Sequence, residues 1–176
     1  CMIVKNEEKF LENALNSVRG LVNEIIIVDT GSTDKTKDIA QRFVDEIGGK
    51  VVDFTWINDF SAARNESMKH ATGDWIIIID ADETLTKKDH DRIRVTIAAA
   101  EDKNIFGISL VQRNYMHDPQ QRYFTSSHGD SYEESDPFLG WDANPLTRLF
   151  KNNKGFQFRY PVHELIEPDI IAAGSN

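Results

Sequence analysis

The sequence predicts an α/β fold with a mostly parallel central sheet and flanking helices. Short runs of β-branched residues alternate with segments whose apolar residues recur at helical spacing. Such an alternation implies right-handed crossovers between parallel strands. The chain has 176 residues, of which 40% are hydrophobic, and this length fits one compact domain.

The alternation is clearest in the first half of the chain. Asn6 is expected to cap the first helix, and glycines follow the first and second helices at positions 20 and 48. The run EIIIVD is continuous and β-branched, which is typical of a strand buried on both faces. The predicted strands are residues 1–5, 24–29, 51–54 and 74–79, and the predicted helices lie between 6 and 20, between 33 and 48, and from about 61 to 71.

The pattern changes in the second half. A helix is predicted over about residues 87–100 and a strand over 106–111. Residues 114–144 are polar and show no period, and so long an irregular stretch in a compact domain is usually functional or mobile. Short strands around 147–150 and 156–160 are expected to close the domain.

The overall charge excludes some classes of partner. Twenty Lys and Arg against 29 Asp and Glu give a net charge of −9, which argues against a nucleic-acid-binding surface. A nucleotide ligand is still compatible, because a divalent metal can supply the missing positive charge.

Other global features bear on where the chain works. The only cysteine, Cys1, fits a reducing compartment and predicts a cytoplasmic protein. The apolar run 75–79 is far too short to span a bilayer. Both chain ends look arbitrary, which predicts a fragment of a longer polypeptide whose missing regions could hold it at the inner face of the membrane.

Several predicted strands end in carboxylates. Glu7, Asp29 and the pair Asp80 and Asp82 all follow strands, and the carboxyl ends of parallel strands share one edge of a sheet. The Asp-x-Asp pattern can hold a hard cation such as Mg²⁺ or Mn²⁺. So short a motif on its own more often marks a strand end with two solvated acids, but its place after an isoleucine run and at the same edge as Asp29 favours the metal.

Four other features each have two interpretations. Residues 30–33 (TGST) can hold a phosphate at a helix N-terminus or form an ordinary turn. Arg64 can contact a base or a phosphate, or lie on the surface. His163 can be a metal ligand or a structural histidine. Arg148 can face a diphosphate or pair with an acid of the domain.

The order of these motifs resembles glycosyltransferase family 2. The resemblance rests on CMIVKNE, IVDTGSTD, DFSAARN and GDWI leading to DADE, and it covers about the first half of the chain. It implies a GT-A fold and an inverting transferase that uses a nucleotide-sugar. The later motifs RLF and VHE look like those of a bacterial branch that includes lipopolysaccharide-core and peptide-modifying transferases.

The resemblance also implies roles for individual residues. Residues 1–84 would be the nucleotide-sugar-binding half and residues 85–176 the acceptor half. The donor would be a UDP-sugar, favoured by family habit, with Mn²⁺ or Mg²⁺ as the metal. The acceptor would be a glycan, a lipid-linked sugar or a peptide. The implied donor-binding residues are Glu7, Asp29 at the base, Arg64 at the base or diphosphate, Asp80 at the ribose or a metal-bound water, and Arg148; the implied metal ligands are Asp82 and His163.

The catalytic base is expected to be a carboxylate that follows the Asp-x-Asp motif. The candidates are Glu133, Glu134, Asp136 and Asp142. Asp142 is preferred because it lies beside Trp141 and ahead of Arg148. Some relatives are expected to carry an acid four residues before the residue that corresponds to Arg148, where this chain has Asn144. Without that acid, the chain could bind the donor but transfer the sugar inefficiently.

Two other functions are compatible with parts of the pattern. A nucleotidyltransferase would normally show a Gly-rich loop after the first strand, where this chain has KNEE. A non-catalytic sugar-nucleotide-binding module would explain a missing base, but the presence of both Asp80 and Asp82 counts against it. Slow hydrolysis of the donor would separate an enzyme from a binding module.

Overall fold

The computed structural model describes residues 1–174 and divides them into two compact units. The first unit contains residues 1–108 and 148–174, and the second contains residues 109–147. The two predicted halves, 1–84 and 85–176, were defined by function and do not coincide with these units. That functional division stays a prediction.

The first unit is built on a parallel sheet with the strand order β1-β2-β3. All five residues of β2 are buried, as the continuous β-branched run predicts. The predicted alternation of strands and helices is confirmed in this region. The strands are β1 (Met2–Val4), β2 (Ile25–Asp29) and β3 (Gly49–Asp53), and the helices are α1 (Leu11–Val18), α2 (Thr36–Ile47) and α3 (Phe60–Lys69).

The fourth predicted strand has a different partner from the one expected. Strand β4 (Trp75–Ile77) pairs antiparallel with the last residues of β7 (Gly140–Lys151), so that Ile77 faces Leu149. The chain beyond β4 then runs beside the first strand, because Ile79 N donates to the Cys1 carbonyl at 3.3 Å. Residues 77–79 therefore connect the parallel sheet to the antiparallel one and carry the chain to Asp80.

Three further elements complete the helices and strands of the first unit. Helix α4 (His90–Asp102) follows a short 3₁₀ turn, β5 (Gly107–Met116) begins here, and α5 (Glu167–Ala172) lies near the end. The predicted strand at 156–160 is wrong, because this segment forms only a single bridge between Arg159 and Leu165. The apolar residues of this segment, Phe156 and Phe158, are buried in the core without forming a strand.

Two apolar clusters hold the first unit together. One lies between α1, α2 and the parallel sheet, and the other is formed by β4, β7 and the segment before α5. The second cluster is rich in aromatic rings, including Phe106, Phe150, Phe156 and Phe158.

The second unit has an aromatic core around one arginine. The Arg113 guanidinium lies 4.3 Å from the Tyr132 ring centroid and 4.2 Å from that of Trp141, and it pairs with Asp130 at 2.5 Å. Strand β6 (Thr125–Ser126) pairs with the start of β7. Residues 114–144 thus begin in β5 and end in β7. These parts of the two strands were not predicted, because a core held by cation–π contacts does not produce a regular spacing of aliphatic residues in the sequence.

The loop after β1 is tied to the loop after β2 rather than capping a helix. Helix α1 begins at Leu11, so the prediction that Asn6 caps it is wrong. Asn6 has a left-handed backbone (φ 56°), its Oδ1 accepts from Thr33 N at 2.8 Å, and its own N donates to Ser32 Oγ at 2.9 Å. These bonds fix the ends of two neighbouring strands against each other.

The helices give no sign of a membrane-spanning segment. Within residues 1–174, no helix combines the length and the apolar character that crossing a bilayer requires.

The Gly48–Gly49 pair between α2 and β3 provides a matched test of the parallel sheet. Both glycines have positive φ. A Cβ at Gly48 would lie 3.7 Å from the Asn23 carbonyl oxygen, an ordinary contact, whereas a Cβ at Gly49 would clash with the Ile25 carbonyl oxygen of β2 at 2.0 Å. We expect Gly48→Ala to lower the free energy of unfolding by about 1–3 kcal/mol through backbone strain. Gly49→Ala should cost a further 1–3 kcal/mol, roughly the penalty of overpacking, in urea denaturation. Equal losses in the two variants would contradict the close approach of β2 and β3.

Candidate active site

A cavity of about 500 Å³ lies where β1, β2 and the segment after β4 end. This is the edge of the sheet at which the sequence predicts the chemistry. The cavity contains one apolar wall and a group of charged side chains. Its lining residues are Ile3, Val4, Lys5, Glu7, Thr30, Trp56, Phe60, Arg64, Asp80, Ala81, Asp82, Val162, His163 and Glu164.

Arg64 is the most constrained charged side chain of this cavity. It projects from α3, and its side chain is only 8% exposed. Its Nη2 donates to Asp80 Oδ1 at 2.8 Å and its Nε donates to Glu164 Oε1 at 2.6 Å. The third nitrogen, Nη1, is buried and has no hydrogen-bond partner among residues 1–174. The guanidinium is therefore held in one orientation, and its Nη1 group is left without a partner.

Asp80 lies between two arginines. Its Oδ2 accepts from Arg148 Nη2 at 3.1 Å, and the same nitrogen donates to Glu83 Oε1 at 2.5 Å. Glu83 closes the turn because its Oε2 accepts from Asp80 N at 3.0 Å. The alternative in which Arg148 pairs with acids of the domain is thus the one observed, and Arg148 does not line the cavity.

The charges of this network change the ionisation of its carboxylates. Burial opposes ionisation of Asp80, but Arg64 and Arg148 together hold its pKa below the usual value. Burial raises the pKa of Glu83 and outweighs the charge of Arg148. Asp80 is thus the stably ionised partner of the two arginines at neutral pH.

Asp82, Glu7 and His163 are the side chains that can take a cation. All three line the cavity, and Asp82 and His163 are exposed. Burial raises the pKa of Glu7, and the charge of Asp82 raises it further. Within the part of the chain that the structure describes, no three acidic, histidine or cysteine side chains form a ready-made metal cage. The donor set fits a hard cation that takes its remaining ligands from water or phosphate oxygens.

Asp29 is buried at the end of β2, with 2% of its surface exposed. Its Oδ1 accepts from Gly31 N and Ser32 N, both at 2.9 Å, while Oδ2 has no partner among the described residues. Asp29 itself does not line the cavity, although the next residue, Thr30, does.

The loop that follows Asp29 does not present a phosphate cradle. The backbone donors of Gly31 and Ser32 are taken by Asp29, and that of Thr33 is taken by Asn6. Helix α2 begins only at Thr36, whose N donates to Asp34 Oδ1 at 3.0 Å. Of the two interpretations of residues 30–33, the structure therefore agrees with the ordinary turn.

The predicted catalytic base lies outside the first unit. Asp142 is a half-buried residue of β7 in the second unit, and its role stays a prediction. The other base candidates, Glu133, Glu134 and Asp136, lie in or next to the 3₁₀ turn of the same unit.

Four residues of the site were not assigned a role from the sequence. Glu83 and Glu164 hold the two arginines, and both stand inside motifs that were singled out, DADE and VHE. Trp56 and Phe60 also line the cavity, and in the sequence they come shortly before the ARN motif at residues 63–65. An acid three residues after Asp80 is a turn-closing signal that could have indicated Glu83.

The arrangement can bind an anionic ligand together with a cation. Arg64 offers a buried N–H donor, Asp82 and His163 offer cation ligands, and Trp56 and Phe60 offer an apolar wall in the same cavity. Ligands with a phosphate group and a flat ring combine all three requirements.

Comparisons with known proteins show which family this chain resembles. The family model described as glycosyl transferase family 2 matches residues 1–163. A TPR repeat-containing protein of Synechococcus elongatus is 34% identical over 98% of this chain and 36% of its own length. The glycosyltransferase SunS from the SPbeta prophage of Bacillus subtilis is 32% identical over 93% of this chain and 33% of its own length. The chain thus spans about a third of the length of these curated relatives.

The fold has solved counterparts. The crystal structure of Staphylococcus aureus TarS is 20% identical and covers 90% of this chain and 29% of its own, with a TM-score of 0.57. Another TarS structure was determined in complex with UDP-GlcNAc. The likeness establishes the predicted GT-A fold, and the family model covers nearly all of the chain. The chain belongs to glycosyl transferase family 2.

Proposed function

We propose that this chain is the catalytic region of a metal-dependent, inverting glycosyltransferase that uses a nucleotide-diphosphate sugar. One observation carries the proposal: Arg64, whose buried Nη1 has no partner among the described residues, and Asp82 line the same cavity. A buried donor without a partner costs about 1–3 kcal/mol. A diphosphate oxygen would satisfy this donor, and a cation on Asp82 would neutralise the same diphosphate.

The charge of the cavity supports metal dependence. Its lining contains the four carboxylates Glu7, Asp80, Asp82 and Glu164 against two permanent cations, Lys5 and Arg64. A diphosphate entering this excess of negative charge would be repelled, so a divalent cation is needed to bind it. Asp82 and His163 would hold Mn²⁺ or Mg²⁺, which as a Lewis acid would offset the charge on the departing nucleoside diphosphate.

The remaining residues of the first unit would bind and orient the donor. Asp80 is held rigidly by two arginines and would accept from the ribose or a metal-bound water through its unused lone pairs. Arg148 and Glu83 would act through Asp80 by fixing its position. Glu7 would contribute a carboxylate beside Asp82 on the donor side.

UDP is the nucleotide that we propose for the donor. The unpaired Oδ2 of Asp29 can accept an N–H, and uracil offers a ring N–H that cytosine lacks at neutral pH. Guanine also has such a donor, so GDP is the competing nucleotide. The UDP-GlcNAc complex of TarS agrees with the choice of UDP.

The transfer step needs a hydroxyl acceptor and a base. The acceptor would be a glycan, a lipid-linked sugar or a peptide, and its hydroxyl oxygen would attack the anomeric carbon from the face opposite the nucleotide. Asp142 would take the hydroxyl proton as general base, and the configuration at the anomeric carbon would invert.

Titration calorimetry with UDP tests the proposed function through Asp82. We expect binding to the unmodified chain in the presence of Mn²⁺ and a Kd raised at least about tenfold in Asp82→Ala, because the cation loses a protein ligand. Asp91→Ala is the matched control, since Asp91 is an exposed acid on α4 whose side chain is 95% exposed. UDP binding of equal strength in Asp82→Ala would contradict the proposal.

Substitution of Glu164 tests how Arg64 is held. Glu164→Gln replaces a charged acceptor by a neutral one, so we expect the free energy of unfolding to fall by about 1–3 kcal/mol. The Kd for UDP should rise a few-fold, because a neutral acceptor holds the Arg64 guanidinium less firmly than the Glu164 carboxylate does. Both quantities can be measured by urea denaturation and calorimetry.

The control for Glu164 is the same substitution on an exposed ion pair. Glu46 on α2 pairs with Arg19 at 2.6 Å, and the two side chains are 45% and 46% exposed, so Glu46→Gln should change stability by less than about 1 kcal/mol. If Glu164→Gln behaves like Glu46→Gln in both measurements, the proposed role of the Arg64–Glu164 pair is wrong.

A further inference from the structure

Two aromatic rings form an apolar wall of the cavity. Trp56 and Phe60 both line it, with their ring centroids 4.8 Å apart and their planes at 70°. In such an edge-to-face pair the edge of one ring covers one face of the other, and the opposite faces stay available. Phe60 is 41% exposed, so part of its ring is accessible from outside the protein.

The strand register brings this wall close to Asp29. The last residue of β3, Asp53, is paired with Asp29, and Phe54 N donates to the Asp29 carbonyl at 2.8 Å. Trp56 follows two residues later, so it leaves the sheet beside the end of β2. Thr30, the residue after Asp29, lines the same cavity as Trp56. The wall therefore lies at the Asp29 end of the site.

Local hydrogen bonds fix the Trp56 ring and the backbone of Phe60 before any ligand binds. Trp56 Nε1 donates to Asn58 Oδ1 at 3.1 Å, and Asn58 has a left-handed backbone with a φ of 60°. Phe60 N donates to the Pro161 carbonyl at 2.9 Å, which connects the start of α3 to the segment before His163. An indole ring held in this way loses less conformational entropy when a ligand stacks on it.

We propose that Trp56, supported by Phe60, is the stacking subsite for the nucleobase of the donor. This inference rests on the proposed function. A base needs an in-plane polar partner and an apolar surface for its flat face, and Asp29 and Trp56 provide the two at neighbouring strand ends. The phosphates would then extend toward Arg64 and Asp82, which line the same cavity. Stacking on an aromatic ring accepts any base, so Trp56 supplies affinity and Asp29 supplies the selection.

The experiment compares two probes on the chain described here. UDP carries the base, and inorganic pyrophosphate carries only the phosphates; both are titrated in the presence of Mn²⁺. In Trp56→Leu we expect the Kd for UDP to rise about tenfold, the effect of losing one base–aromatic stack, while the Kd for pyrophosphate stays unchanged. Trp56→Phe keeps an aromatic ring and should bind UDP with an intermediate Kd.

A second tryptophan serves as the control. Trp75 on β4 donates to Glu101 and does not line the cavity, so Trp75→Phe should leave both dissociation constants unchanged. The melting temperature of each variant shows whether it is folded. UDP should also quench the fluorescence of the unmodified chain, and this quenching should disappear in Trp56→Phe but persist in Trp75→Phe.

Three results would overturn the proposal, and they are distinguishable. If the unmodified chain binds neither UDP nor pyrophosphate, the proposed function itself fails; if it binds pyrophosphate but not UDP, the choice of UDP and the base subsite built on it fail. If UDP binds and Trp56→Leu binds it equally well, the base stacks elsewhere and the aromatic wall contacts another part of the substrate. If Trp56→Leu weakens UDP and pyrophosphate to the same extent, Trp56 shapes the whole cavity and is not a base subsite.

Discussion

The pairing of Arg64 with Asp80 is the interaction on which the rest of the site depends. Removal of one partner from a buried ion pair typically costs about 3–5 kcal/mol, because the other charge is left without compensation. Arg64 is 8% exposed, while Asp80 is 31% exposed, so the arginine is the partner that most needs its counter-charges. Through Glu164 and Arg148 the same pair connects α3, the end of the strand that carries Asp-x-Asp, and the VHE segment. Three distant parts of the sequence thereby meet at one guanidinium.

This arrangement divides the acids of the site into two groups. Asp80, Glu83 and Glu164 are engaged by arginines and hold the architecture in place. Asp82, with Glu7 beside it, lies in the cavity and raises the pKa of Glu7 through its charge. The first group is balanced within the protein, whereas the second leaves an excess of negative charge. A divalent cation that arrives with the diphosphate would restore the balance, which connects the fold to metal-dependent chemistry.

The sequence predicted the parts of this structure that local patterns determine. The parallel strands, the buried β2 and the meeting of strand ends at one edge follow from β-branched runs and from the geometry of parallel sheets. Contacts between distant residues were not predictable in this way. The antiparallel pairing of β4, and the partners of Arg148 and Asn6, depend on residues up to about 76 positions away. The second unit escaped prediction because its core is an arginine between two aromatic rings. The roles of Asp82, His163 and Asp142 remain predictions.

The most direct test of the central claim is to locate the cation. A crystal of the chain grown with UDP and Mn²⁺ and measured at the manganese absorption edge would show the metal by its anomalous signal. We predict one strong peak within bonding distance of the Asp82 carboxylate and the His163 imidazole, next to the diphosphate and with Arg64 Nη1 donating to a phosphate oxygen. A peak elsewhere in the chain, or UDP bound in the cavity without manganese, would contradict this prediction.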